Sequence, residues 1–239
     1  KTYKIRRSLM NIENFLFGVY PYIALSIFFL GSLIRFDRDQ YSWKSDSSQL
    51  LSKKYLRLGS NLFHIGILAI FAGHFVGLLT PHAVFIALGV SDMTHQLVAI
   101  VAGSIFGVIA LLGGLILWFR RMFNKRVSKA SRKSDKFILS WLLITLMIGL
   151  STIPVSIGHS NHGDASVMIA LSDWVKSIVT FNPQPELLAN VDTVFKVHMF
   201  FGLTVFLVFP FTRLIHVWSA PVTYINRPYQ VVRSKRKFL

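Results

Sequence analysis

The stretch LGSNLFHIGILAIFAGHFVGLLT, residues 58–80, contains no Asp, Glu, Lys or Arg, yet it holds His64 and His74. A bilayer core of about 30 Å needs roughly 20 apolar residues of helix. The stretch therefore reads as a transmembrane span with ionisable rings inside it, and such groups mark functional sites by default because they are costly in lipid. The same scan finds Phe15–Ile34, Met93–Phe119 and Phe137–Gly163, the last expected to leave the membrane near Pro154. Val197–Thr212 is shorter, but Lys196 and Arg213 can snorkel from its ends, which extends that span to about Val191–Trp218. Phe15–Ile34 is too long for a signal-peptide core and no small-residue cleavage site follows it, so it too reads as a span.

Composition agrees with this reading. Of 239 residues, 53% are apolar and 15% charged, with mean hydropathy +0.53, against about 25% charged in an ordinary soluble domain. There is no cysteine, which removes disulfides, zinc fingers, thiolate iron–sulfur ligation and cysteine nucleophiles together. The net charge of +16 suits loops facing anionic lipid. No nucleic-acid partner is expected, because that would need a folded soluble reader which this chain lacks. Nor is there a phosphate-cradling glycine loop or a convincing pair of carboxylates.

Loop charges orient the spans. Lys and Arg gather in 35–57 (Arg35, Arg38, Lys44, Lys53, Lys54, Arg57), in 119–136 and after Trp218, whereas 81–95 has none and 156–190 has only Lys176. Basic loops stay in the cytoplasm, so the N-terminus lies outside and the C-terminus inside. The arm with Lys1, Lys4, Arg6 and Arg7 runs against this, and three consistent segments outweigh it. The basic runs Arg120, Arg121, Lys125, Arg126 and Arg233, Lys235, Arg236, Lys237 suit lipid headgroups or an acidic partner. Within 165–181, Val167, Leu171, Trp174, Val175 and Ile178 recur at helical spacing, as in an amphipathic helix lying on the outer interface. The expected fold is all-α: one domain, 1–239, forming an integral membrane five-helix bundle. Its spans lie at about 15–34, 58–80, 94–118, 137–155 and 191–218.

Four histidines fall within spans: His64 and His74 on the second, His198 and His216 on the fifth. The two spans run in opposite directions, so depth pairs His74 with His198 near the outside and His64 with His216 near the inside. Opposed imidazoles at two depths are what two stacked bis-histidine haems require, and neutral imidazole is the commonest nitrogen donor to metals. Straight helices fit this imperfectly. The ten-residue separation on the second span covers about 15 Å and the eighteen on the fifth about 27 Å, a mismatch that tilt or a kink at Pro210 would have to absorb. A proton-coupled transporter and a structural polar network remain open as alternatives at this point.

Gly66, Gly73 and Gly77 flank the second-span histidines, where missing side chains leave room for a flat macrocycle. Gly73–Gly77 and Gly103–Gly107 are equally small-xxx-small packing spacings. Arg213 precedes His216 by three residues, where a guanidinium can pair with a haem propionate. His82, His95, His159 and His162 fall on the outer side. His159 and His162 read as a solvated loop, while His95 opens the third span beside the outer pair, placed for a quinone oxygen.

Asn61-Leu-Phe-His64-Ile-Gly-Ile-Leu, Gly73-His74-Phe, Leu79-Thr-Pro-His82 and Phe209-Pro-Phe-Thr-Arg213-Leu-Ile-His216-Val-Trp-Ser follow in order along the chain. With Tyr20-Pro-Tyr-Ile and Gln40-Tyr-Ser-Trp43, they resemble the gamma subunit of membrane-bound respiratory nitrate reductase from about Asn14 to Arg233. The resemblance implies a cytochrome b of the cell (inner) membrane with two haems b, the outer held by His74 and His198, the inner by His64 and His216. It implies quinol oxidation at a site near Gly73, His74 and His95, with protons released outside. Electrons would pass to a cytoplasmic iron–sulfur beta subunit and on to a molybdenum alpha subunit that reduces nitrate. Related anchors serve sulfur-compound or heterodisulfide reductases, and a nitrite-oxidising complex could run the chain in reverse. His95 departs from the resembled pattern, which has lysine there, and the basic arm before Asn11 has no counterpart in it.

Overall fold

The computed structural model describes residues 12–39, 51, 52 and 54–219. The basic arm, Gln40–Trp43 and the basic run 233–237 lie outside the described residues. Among these residues every regular element is helical, and five helical spans are long and apolar enough to cross a membrane: α1 Ile12–Arg38, α2 Leu56–Leu79, α3 Asp92–Phe123, α4 Lys133–Asn161 and Thr193–Phe211, whose α-helical part is α6 Thr193–Val208. The protein is a multi-pass membrane protein. Between α4 and α6 lies α5, Ser166–Val179.

The order of packing is a curved row, α2 on α3, α3 on α4, α4 on α6 and α6 on α1. Glycine sets the closest step. A Cβ at Gly113 of α3 would lie 2.2 Å from Phe63 N, and one at Gly66 would lie 2.5 Å from Ala110 N, so α2 and α3 touch backbone to backbone. Gly107 instead receives the side chain of Leu150 of α4, whose Cδ2 would lie 2.6 Å from a Cβ there. Dispersion gained at such close approach holds membrane helices together where lipid is as apolar as the side chains.

Prolines fix the local departures. Pro21 has no N–H to give to the Phe17 carbonyl one turn earlier, and the first turns of α1 open into a π-helical turn over Phe15–Val19. The Trp174 indole N–H of α5 donates to that carbonyl at 2.9 Å instead. Phe17, Trp174, Ile178, Leu188, Val191 and Phe195 are buried together there, with Val167, Leu171 and Val175 packed against them. The apolar face of α5 is therefore turned onto the protein. At its start, Ser166 donates to Asp164 and holds that carboxyl below its ordinary range.

Pro154 leaves α4 unbroken, and the helix runs on to Asn161, past the point where the sequence suggested a membrane exit. Around it Ser151 and Thr152 hydroxyls donate to the Ile148 and Gly149 carbonyls, and Gln96 Nε2 donates to Ser156 O at 3.2 Å.

The last span is not one helix from Val191 to Trp218. It is α-helical only to Val208, and 3₁₀ turns at Phe209–Phe211 and Arg213–Val217 are separated by an extended Thr212 (φ −121°, ψ 177°). Pro210 is the reason, since it removes a helical donor and clashes with the preceding turn at a cost of about 3 kcal/mol or more. An unpaired carbonyl in hydrocarbon costs several kcal/mol in addition. Arg35 of α1 answers this: its Nη1 donates to Pro210 O at 2.5 Å and to Thr212 O at 3.2 Å.

Ion pairs close both ends of the bundle. Arg121 and Asp135 meet at 3.0 Å across the α3–α4 connection, at the end that also carries Arg35, Arg120 and His216 (the basic end). At the opposite end Lys196 pairs with Glu13 at 2.7 Å, and the rings of His159 and His82 lie 3.4 and 3.1 Å from the carboxyl groups of Asp192 and Asp92.

Candidate functional site

Helix α2 packs on α3 and α5 but has no extended packing against α6, and His64 and His74 lie on its exposed surface. Across the gap, the rings of His74 and His198 have centroids 6.1 Å apart, and those of His64 and His216 stand 6.3 Å apart. The histidines that depth pairs in the sequence are thus the ones the fold brings together, with their ring planes inclined at 51° and 76°. The mismatch between 15 and 27 Å rested on a straight fifth helix, and that premise ends at Val208.

Each of the four rings is anchored through Nδ1 to a backbone carbonyl. His64 donates to Ser60 O (2.7 Å), His74 to Ile70 O (2.9 Å), His198 to Thr145 O (3.2 Å) and His216 to Arg213 O (2.5 Å). A carbonyl only accepts, so the proton of each neutral ring sits on Nδ1 and the Nε2 lone pair is left over. That is the arrangement in which metal-ligating histidines are held, with the second nitrogen tied to a carbonyl or carboxylate.

Two imidazoles binding one metal from opposite sides, with metal–nitrogen bonds of about 2.0–2.1 Å, place their ring centres about 6.3 Å apart. Both observed separations match. Among the described residues no group of three or more His, Cys, Asp or Glu converges as a protein-only metal site. Paired axial imidazoles suit a planar group that already supplies its own in-plane ligands. Space is available beside the pair of His74 and His198: a Cβ on Gly73, or on Gly202 one turn beyond His198, would meet nothing within 4 Å. The residues present fit haem.

Other residues singled out in the sequence divide. Gly66 is accounted for by its contact with α3, so its missing side chain serves helix packing rather than macrocycle room. A Cβ on Gly77 would lie 3.3 Å from His95 Nε2, which places His95 against α2 one turn from His74. The His95 ring is stacked on Phe85 of the short helix His82–Ala87, with centroids 4.2 Å apart at 28°. Arg213 contributes its carbonyl to His216.

Two residues of α4 went unnoticed in the sequence. Thr145 supplies the carbonyl that fixes His198. Gly149, one turn on, is where that ring lies: a Cβ there would fall 2.7 Å from His198 Cε1. The i, i+4 spacing of a small residue after Thr145 was the available signal, but nothing local ties it to a histidine in another span.

The sequence model of the nitrate reductase gamma subunit family matches residues 13–235. The chain is 49% identical over 229 residues to the respiratory nitrate reductase 2 gamma chain of Escherichia coli (strain K12), covering 95% of this chain and 100% of that one. It is 46% identical over 225 residues to the respiratory nitrate reductase 1 gamma chain of the same organism, covering 94% and 98%. To the nitrate reductase gamma chain of Bacillus subtilis (strain 168) it is 39% identical over 220 residues, covering 92% and 97%.

Proposed function

The chain belongs to the nitrate reductase gamma subunit family, part of an oxidoreductase complex with alpha and beta partners, and we propose that it is the di-haem b subunit which oxidises quinol for that complex. Four imidazoles, each locked through Nδ1 and meeting in two pairs 6.1 and 6.3 Å apart, carry this reading. His74 and His198 hold one haem, His64 and His216 the other. Bound there, haem b would supply the one-electron redox chemistry that ordinary side chains do not.

The residues of this chain do the rest. His95, held flat against Phe85 and lodged beside Gly77, accepts a proton from a quinol hydroxyl at the end of the bundle where His74 and Gly73 lie. An imidazole is suited to this because its ordinary pKa lies near working pH. His82 and Asp92 stand at the same end, where the released proton reaches outer water. The guanidinium of Arg213, three residues before His216, would supply a positive charge to a propionate of haem held there. The basic end, with Arg120, Arg121, Lys125 and Arg126, faces the cytoplasm and the iron–sulfur and molybdenum subunits that receive the electrons. The positive-inside charge distribution supports that orientation.

Redox spectroscopy of the purified complex tests this directly. Two b-type components per chain are expected, and His74→Ala should remove one and abolish quinol-dependent reduction of the other. A colourless subunit, or a His74→Ala variant that keeps both components, overturns the reading.

A further inference from the structure

Phe28, Gly31 and Arg35 recur at i, i+3 and i+7 and share one face of α1. That face meets the broken end of the last span at three levels. The Phe28 ring packs edge-on against Phe209 (4.8 Å) and lies tilted against Trp218 (5.7 Å), in a cluster where Ile215 is wholly buried. Gly31 leaves room for Pro210, whose Cγ would be 2.8 Å from a Cβ placed there. Arg35 Nη1 bridges the Pro210 and Thr212 carbonyls.

The bond from His216 to Arg213 O fixes the ring only relative to its own 3₁₀ turn. Where that turn sits in the bundle depends on the segment before it, which has left the helix and is held by Thr212. The Thr212 hydroxyl caps Leu214 N at 3.3 Å and donates to Phe209 O at 3.1 Å. From outside the segment, Arg35 holds the same residue by its carbonyl.

We propose that Arg35 is a positioning residue for His216: by bridging the carbonyls of Pro210 and Thr212 it sets the segment from which His216 faces His64. This rests on the proposed reading of His64 and His216 as axial ligands of one haem. Arg35 touches neither ring and acts through the backbone, as an outer partner whose loss costs about 10–100-fold in retention of the group held by the ligand.

The test is a redox titration of the b-type signal of the whole complex in Arg35→Gln and Gly31→Ala variants, with His216→Ala and His198→Ala identifying the two components. The expected result is loss or a shifted potential of the component that His216→Ala removes, in both variants, with the component that His198→Ala removes unchanged. Should Arg35→Gln fail to assemble, Gly31→Ala carries the decision, because it displaces Pro210 while leaving the guanidinium in place. Curves superimposable on those of the parent overturn the proposal, as does an equal shift of both components. If His216→Ala itself keeps both components, the ligand assignment falls and this proposal falls with it.

Discussion

Gly149 and His198 are in contact to the exclusion of any side chain: a Cβ on the glycine would lie 2.7 Å from Cε1 of the ring and 3.2 Å from the Nδ1 that bonds Thr145 O. Contacts under 3 Å force something to move, and the ring is tied on one side by that hydrogen bond. Gly149→Val should therefore push His198 off the axis it shares with His74. The expected outcome is about 10–100-fold poorer retention of the haem at that level, with the other component intact in a reduced-minus-oxidised spectrum. A valine variant with both components at full strength would show that the ring is free to shift.

Gly113 and Gly103 lie on the same helix but in opposite circumstances. At Gly113 a Cβ meets Phe63 N at 2.2 Å and Gly59 O at 2.8 Å, and neither backbone atom can yield without moving α2. At Gly103 it meets nothing within 4 Å. Overpacking costs about 1–3 kcal/mol, so Gly113→Ala should lower the temperature at which the detergent-solubilised protein loses its haem signal. Because α2 carries both His64 and His74, both components should suffer. Gly103→Ala should leave the transition unchanged or raise it slightly, since alanine is the better helix former.

The His95 ring is stacked on Phe85 and stands outside the two histidine pairs proposed to hold haem, so His95→Ala should spare haem content and lower quinol turnover. General-base contributions run to about 10²-fold or more, and steady-state kinetics with a quinol analogue reads the effect. Turnover equal to that of the parent would clear His95 of any role in proton transfer.

What could be read from the sequence was whatever repeats within one segment. Charge-free length located each of the five spans, and alternation of loop charge gave the orientation proposed above. Helical spacing found α5, because Trp174 and Ile178 are buried on one face. Depth along two antiparallel spans paired the histidines, because opposite chain directions put the first histidine of one span beside the second of the other, even though a uniform helical rise gave unequal spacings. The rest depended on what a segment meets from elsewhere. Gly66 read as macrocycle room beside His64, and only the position of Ala110 on another helix shows that it serves packing. The break after Val208 was visible as a proline, but its extent was not, because helix continuation there turns on whether a distant donor such as Arg35 satisfies the freed carbonyls. Thr145 and Gly149 were silent for the same reason.

Of the carbonyls that orient the imidazoles, Ser60, Ile70 and Arg213 each precede their own histidine by a single turn, whereas Thr145 belongs to a different helix from His198. Three rings thus take their Nδ1 hydrogen bond from their own stretch of chain. The fourth takes it from a neighbouring helix. The orientation of His198 is accordingly sensitive to how α4 sits against α6, while the other three rings keep their carbonyl partners whatever α4 does.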